Sequence, residues 1–572
     1  MINNLGAPLS RKHYLNDFIV LAIFSIVAIL FVRGWVDMHS EFDINHFESI
    51  SLDTSNLFYY SLRTTMRFMV GMAWSLLFAI VAGVLAARYT PMRRVILPFV
   101  NFMESVPLVG FLTFTTVYFL GLYPHSVMGL ECASIFAVFT GQAWNMALTV
   151  YQTLTLVPRE LDEAARSFNY NSWQRFWRLE FLYSVPGLLW NTMVSQAAAW
   201  FALVASEAIP VKDKSIELPG VGSYIAEALA KEDTHAILFA ILALVVNIVI
   251  LDQLIFRPLV RYTRRFKYED TVATQAKETS WFFTCLALSN VGAAVGYILR
   301  RMTNFWLFKL PNVWYWLQLH RIFKLTGKVN WLWSSLWYLG IAIGAVRLGH
   351  ELWEYFPKEY FSMMPKWVLL TTARVVAAMV LSIVIFTPLG VWIGLNPRLV
   401  RFFQPIIQIL AAIPTNVFYP VIAIFIGTYH QQLGWWAIPM IMVGTQWYVL
   451  FNVIAGVTAI PSQVTEVSET FGLKGMKWWR LYMLPAIFPY IVTGIISAAG
   501  GAWNSAIAAE VIQWGSNTIS STGLGAFISI STNAGKNPEA ALGCAVMCGL
   551  VALCVIFVWQ PLYRAASKFK YD

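Results

Sequence analysis

The sequence predicts an all-α polytopic membrane protein built from two tandem homologous six-helix halves, with about twelve transmembrane helices. Three observations predict it. The 572 residues are 58% hydrophobic and only 12% charged, with a mean hydropathy of +0.60, whereas soluble domains are nearer a quarter charged. Apolar segments long enough to span a bilayer, about 20 residues each, recur along the whole chain. The second half repeats the pattern of the first.

In order, the expected spans fall near 15–36, 66–88, 95–120, 127–152, 186–209 and 236–257, then near 331–349, 371–395, 404–427, 435–457, 486–511 and 540–560. The two sets correspond. Thr64-Thr65 with Arg67 matches Thr371-Thr372 with Arg374, and Pro107 matches Pro414, each 307 residues on. Pro158 and Pro461, Trp200 and Trp503, Glu207 and Glu510, Gly222 and Gly525, and Pro258 and Pro561 are all 303 apart. Both halves close on Phe-Lys-Tyr, at Phe266 and at Phe569. Halves running in the same direction are related by an axis along the membrane normal.

The +10 net charge reports topology, not nucleic-acid binding. The loop 37–60 carries Asp37, Glu41, Asp43, Glu48 and Asp53 and no Lys or Arg, as an outer loop does. The short loops with Arg88, Arg93 and Arg94 and with Arg398 and Arg401 are basic, as inner loops are. The N-terminal Arg11-Lys12-His13 precedes an apolar run with no small-x-small cleavage site, so it reads as a retained first span with a cytoplasmic N-terminus; the C-terminus follows on the same side. The cysteines Cys132, Cys285, Cys544, Cys548 and Cys554 lie in or beside apolar segments and read as packing residues.

This gives a first domain over 1–270, a linker over 271–330 and a second domain over 331–572. The linker is basic and aromatic (Trp306, Trp314, Trp316), and its stretch 280–299 is apolar enough to span. A single crossing there would invert the second half. The expectation is therefore no crossing, with the segment lying in the inner interface; a hairpin of two spans is the alternative.

A polar island occurs once in each half. The first runs Pro158-Arg159-Glu160-Leu161-Asp162-Glu163-Ala164-Ala165 to Asn169, and the second Pro461-Ser462-Gln463-Val464-Thr465-Glu466 to Gly472. Each opens on Pro, a good first helical residue, and ends on a residue that tolerates positive φ. Both read as short exposed cytosolic helices. Glu163-Ala164-Ala165 resembles the Glu-Ala-Ala loop of ABC importer permeases, with Asn169 in place of the family's Gly and Pro186 late. The second copy keeps Gly472 and the spacing to Pro485 but reads Glu466-Val467-Ser468. Within those permeases the chain is most similar to the nitrate, bicarbonate, sulfonate and taurine group. The cues are Ser105-Val106-Pro107 and Ala412-Ile413-Pro414, Ala199-Trp200 to Glu207 and Ala502-Trp503 to Glu510, and Gly220-Val221-Gly222 with Gly523-Leu524-Gly525.

The resemblance implies the type I ABC importer fold, with two permease domains fused in one chain. It implies two cytoplasmic ABC ATPase subunits that bind ATP and Mg, and a periplasmic or lipid-anchored substrate-binding protein. It also implies an inner-membrane location and a small oxyanion substrate such as nitrate, bicarbonate or sulfonate. Pro158, Glu163, Ala164, Ala165, Asn169, Pro461, Glu466 and Gly472 would then couple the chain to the ATPases.

For the substrate pathway the fifth spans stand out. Gln196, Trp200, Leu203 and Glu207 share one helical face, matched by Ala499, Trp503, Ala506 and Glu510, with Asn504 beside Trp503. A carboxylate at membrane depth marks function; a structural bond to the following Gly-rich loop is the competing account. Gln142 with Asn145, and Gln446 with Tyr448, add polar groups in the fourth spans, and Glu104, matched by Ala411, adds one in the third. Arg67 and Arg374, near the outer ends of the second spans, read as snorkelling to the interface, with attraction of an anion as the alternative. The sequence holds no Gly-x-x-x-x-Gly-Lys-Ser/Thr, no metal-spaced His/Cys set and no nucleophile elbow. That argues for no cofactor or metal in the chain itself, no enzymatic role and no nucleic-acid partner. A secondary transporter or channel without an ATPase is the rival class, and a membrane-integral enzyme a remote third.

Overall fold

The computed structural model describes residues 12–38, 50–106, 108–124, 126–211, 214–263, 280–309, 330–413, 415–429, 432–514 and 517–566. The first half runs α1 (Lys12–Met38), α2 (Leu57–Arg88), α3 (Thr90–Ser105), α4 (Leu108–Leu122), α5 (Met128–Thr155), α6 (Arg159–Ser167) and α7 (Phe181–Glu207). The hairpin β1 (Ala208–Val211) and β2 (Lys214–Glu217) follows, then α8 (Val221–Ala230) and α9 (Thr234–Leu251), which continues through a π-type turn to Thr263. Next come α10 (Trp281–Leu288) and α11 (Asn290–Lys309). The second half runs α12 (Asn330–Tyr355), α13 (Lys358–Gly394), α14 (Pro397–Ala412), α15 (Tyr419–Tyr429), α16 (Leu433–Thr458), α17 (Ser462–Thr470) and α18 (Leu484–Ala509). It ends with β3 (Val511–Trp514), β4 (Asn517–Ser520), α19 (Leu524–Asn533) and α20 (Asn537–Cys554), which continues to Ala566.

The repeat extends to the fine structure. The π-type turns at Phe176–Glu180 and Trp479–Met483, and at Asp252–Phe256 and Val555–Trp559, are each 303 apart, as are the two hairpins and the helices α6 and α17. The offset falls from 307 at Arg67 and Arg374 to 303 at Gly141 and Gly444, so the second half is four residues shorter before its fourth span.

Among the described residues, eight helices are long and apolar enough to cross a membrane, or nine if the bent pair α10–α11 is one span. Four of the twelve expected segments, near 95–120, 127–152, 331–349 and 404–427, are not among them. The third spans are each broken into two helices, α3–α4 and α14–α15, around Pro107 and Pro414, which lie outside the described residues. Helix α5 is long but packed inside and carries buried Glu131 and Gln142. Helix α12 carries Arg347, His350, Glu351 and Glu354.

The apolar stretch 280–299 is not one straight span: α10 and α11 meet at 81°. Both pack on α1, and the Asp17 carboxylate caps α11 by accepting from the backbone N–H of Asn290 at 2.6 Å and of Val291 at 3.2 Å. Trp314 and Trp316, and the side chain of Trp306, lie outside the described residues.

Packing between spans relies on glycine. A Cβ on Gly83 would press on Val150 of α5, and one on Gly390 would press on Val453 of α16, at matched positions. Small residues there let the second and fourth spans approach closely, which is how helices associate in lipid. The third spans cross over: α4 packs on α18, α19 and α20, while α14 packs on α7 and α9. Each half is therefore completed by the other. We expect Gly83→Leu and Gly390→Leu each to lower the thermal unfolding midpoint, since overpacking costs about 1–3 kcal/mol. Gly344→Leu, where nothing lies within 4 Å, should leave the midpoint unchanged.

Candidate functional site: an axial cavity between two arginine–glutamate nodes

Near the end of each fifth span a carboxylate is locked in place. Glu207 accepts from the Thr64 hydroxyl at 2.8 Å, the Arg67 guanidinium at 2.7 Å and the Gly222 backbone N–H at 2.7 Å. Thr64 in turn accepts from the Val221 N–H at 2.9 Å, and Arg67 donates to the Pro219 carbonyl at 3.0 Å. The carboxylate thus sits on the N-terminus of α8, where free N–H groups and the helix dipole favour an anion. In the second half Glu510 accepts from Thr371 at 2.9 Å, Arg374 at 2.6 Å and the Ala526 N–H at 3.0 Å, while the Leu524 N–H donates to Thr371 at 2.8 Å. Glycine is required beside these carboxylates, because a Cβ at Gly220, Gly222, Gly523 or Gly525 would run into the glutamate.

The two nodes differ in charge count. In the first, Arg67 also forks onto Glu131 at 2.6 and 2.7 Å, and Arg63 bridges Glu131 to Asp37 of α1 at 2.9 Å. In the second half the matched positions are Leu370 and Gly434, and Arg374 donates to the Gly434 carbonyl at 3.1 Å. Each node is balanced in its own way. The snorkelling expectation is corrected: Arg67 is fully buried and Arg374 partly buried, each held by acceptors within the protein.

Between the halves lies a cavity of about 900 Å³ of space free of protein atoms, part of it continuous with solvent. Its lining comes in matched pairs: Glu104 and Ala411, Gly141 and Gly444, Trp144 and Trp447, Asn145 and Tyr448, Ala198 and Gly501, Phe201 and Asn504. The cavity therefore straddles the pseudo-twofold axis. The Leu108 N–H, the first donor after the break in the third span, donates to the Asn504 side chain of the other half at 2.6 Å.

Three of the expected pathway residues, Glu104, Asn145 and Asn504, line the cavity, and Glu104 is hydrogen-bonded to Asn145. Gln142, Gln196, Trp200, Glu207, Gln446, Trp503 and Glu510 are not among the described lining residues. Glu207 and Glu510 bond the backbone that follows the hairpin of each half, which is the competing account given above. Trp200 stacks on Phe68 at 4.3 Å in the first-half core, and Trp503 packs in a separate second-half core. Gln142, Gln196 and Gln446 are buried beside the lining. On the first fifth helix the cavity meets Ala197, Ala198 and Phe201; Ala197 and Phe201 stand one position on from Gln196 and Trp200, or about 100° around the helix. What sequence reasoning missed is the small-residue set, Gly141, Ala197, Ala198, Gly444, Gly500 and Gly501. Their signal is a lack of side chain at matched positions.

The two polar islands are α6 and α17. Pro158 and Pro461 stand just before the first helical residue rather than within the helix. Asn169 (φ +55°) and Gly472 (φ +59°) both adopt the left-handed conformation that stops the helix. Glu163, Ala164, Glu466 and Val467 are exposed, while Ala165 and Ser468 are buried and anchor each helix.

A duplicated, helical, multi-pass chain with an axial cavity has the architecture of a membrane transport component. The chain belongs to the family of binding-protein-dependent transport system inner membrane components, whose model matches residues 79–261 and again 386–568. It is 29% identical over 181 residues to the nitrate import permease protein NrtB of Leptolyngbya laminosa, covering 32% of this chain and 61% of that protein. It is 30% identical over 142 residues to the bicarbonate transport system permease protein CmpB of Synechococcus elongatus, covering 25% and 50%. It is 24% identical over 139 residues to the taurine transport system permease protein TauC of Escherichia coli, covering 24% and 49%. The matches thus span half to about three fifths of these relatives.

The comparison of the two nodes yields a double-mutant test. Arg63→Leu or Glu131→Gln alone leaves a buried charge unbalanced, a change that costs about 3–5 kcal/mol. The pair together approaches the neutral arrangement of the second half and should cost clearly less than the two singles summed, read as thermal unfolding midpoints.

Proposed function

We propose that this chain is the complete permease unit of an ATP-driven importer. Its two halves, divided near 270 and 331 by the linker, form one substrate pathway. Two cytoplasmic ABC ATPases hold the ATP and Mg, and an exported binding protein delivers a small polar solute. The names of the relatives suggest the nitrate, bicarbonate and taurine range. Both termini and the α6 and α17 loops face the cytoplasm, which requires the linker to cross an even number of times.

The observation that carries the reading is the pair of exposed helices. Each presents an acid, Glu163 or Glu466, beside an exposed aromatic: Phe168 is 70% and Phe471 76% exposed. A single exposed aromatic is ordinary on a surface; what supports docking is that the same acid-bearing helix followed by an exposed Phe recurs 303 residues on, in both halves. Such a helix can seat in a groove of an ATPase and pair with a basic residue there. The cavity lined by matched positions of both halves supports one chain per pathway.

We expect Glu163→Arg or Glu466→Arg to insert normally yet lose co-purification of the ATPase subunits at least tenfold, with Glu163→Arg the more severe. Normal co-purification of both variants refutes the coupling role. Cysteine placed at Thr303 should resist an impermeant thiol reagent added from outside; labelling there would contradict the topology.

A further inference from the structure

We propose that the axial cavity binds a substrate through a cationic nitrogen group presented to Glu104, and so selects an ammonium-bearing solute over a bare oxyanion. This rests on the transport reading above and narrows it. Among the described lining residues Glu104 is the one acidic side chain, and none is Lys, Arg or His. The arginines that could meet an anion, Arg63, Arg67 and Arg374, are held by carboxylates in the two nodes and are absent from the lining.

The amide donors of the cavity are committed as well. Asn145 is hydrogen-bonded to Glu104, and the Asn504 amide nitrogen donates to the Gly500 carbonyl at 3.1 Å. Thr140 donates to the Ala137 carbonyl at 2.9 Å. The other donors among the described lining residues are neutral, the hydroxyls of Thr415, Tyr448, Ser497 and Ser505 and the indole N–H groups of Trp144 and Trp447, and an oxyanion there would meet the Glu104 carboxyl with no cation beside it. A cation needs acceptors and aromatic faces. Glu104 supplies the first. Trp144 and Trp447 flank the axis at matched positions with Tyr448 beside them, and such rings attract ammonium groups. A zwitterion satisfies the same chemistry through its ammonium end.

The test uses the full chain in lipid nanodiscs, titrated calorimetrically with four probes. Ethanolammonium and taurine carry an ammonium group. Isethionate has the sulfonate of taurine with a hydroxyl in place of the ammonium, and nitrate is a bare oxyanion. The ammonium probes should bind saturably and at least tenfold more tightly than isethionate or nitrate. Glu104→Gln should weaken them about tenfold or more at an unchanged unfolding midpoint, and Glu104→Asp should retain the ranking. Tighter binding of nitrate or isethionate overturns the proposal. So does ammonium binding unaffected by Glu104→Gln, or no saturable ammonium binding at all. The probe ranking on the unaltered chain decides the matter even where a variant misfolds. Failure here would leave the Glu163 and Glu466 coupling phenotype in place, whereas failure of the transport reading would remove that phenotype with binding intact.

Discussion

The buried arginine–glutamate node is the constraint on which each half depends. It joins three elements that are remote in sequence: the second span, the end of the fifth span and the start of the short helix after the hairpin. A lone carboxylate so deeply buried would be heavily penalised. Here the charge is held by a guanidinium, a hydroxyl and a helix N-terminus together, so its acceptor capacity is filled. That geometry fixes how the fifth helix stands, and with it which residues reach the axis. In the first half the same network extends through Arg63 to Asp37 and ties α1 to the bundle.

The cavity follows from two further features. Small residues at matched positions of the fourth and fifth spans leave room at the axis. The broken third spans supply the remaining wall, and each leans on the opposite half. Where α4 starts, its first N–H has no intrahelical partner, and Asn504 of the other half accepts it. A backbone irregularity at membrane depth is tolerated only where protein or a cavity covers it, and here both do. The break and the cavity are therefore parts of one arrangement.

Much of this was legible in the sequence. The duplication, the offsets and the short polar helices stood in the residue pattern, because periodicity and turn chemistry are local. So did Glu207 and Glu510, for which a bond to the Gly-rich loop that follows was one of two readings, and the structure makes that bond. The polar and aromatic stripe Gln196, Trp200, Glu207 looks like a pathway, yet a stripe cannot say which way it faces. Arg67 reads as an interfacial residue until Glu131, 64 positions away, is seen to meet it. The cavity face was hardest to read. It is marked by alanine and glycine, which carry no chemical label, and its single acid, Glu104, was visible only as a mismatch with Ala411.

That mismatch shows what fusing two domains permits. In a pair of identical subunits, any residue beside the axis occurs twice, and two facing carboxylates repel until one is neutralised. A single chain escapes the duplication. Here Glu104 faces the axis with Ala411 as its counterpart, Asn145 with Tyr448, and Phe201 with Asn504. The divergent pairs lie where the halves meet, whereas the elements that must hold each half together, the Thr–Arg–Glu node and the glycines at the foot of the short helix, are retained in both. The asymmetric lining then supplies one carboxyl group, two matched indoles and a one-sided hydrogen bond from Leu108 to Asn504, a combination that no twofold-symmetric pair of the same helices could present.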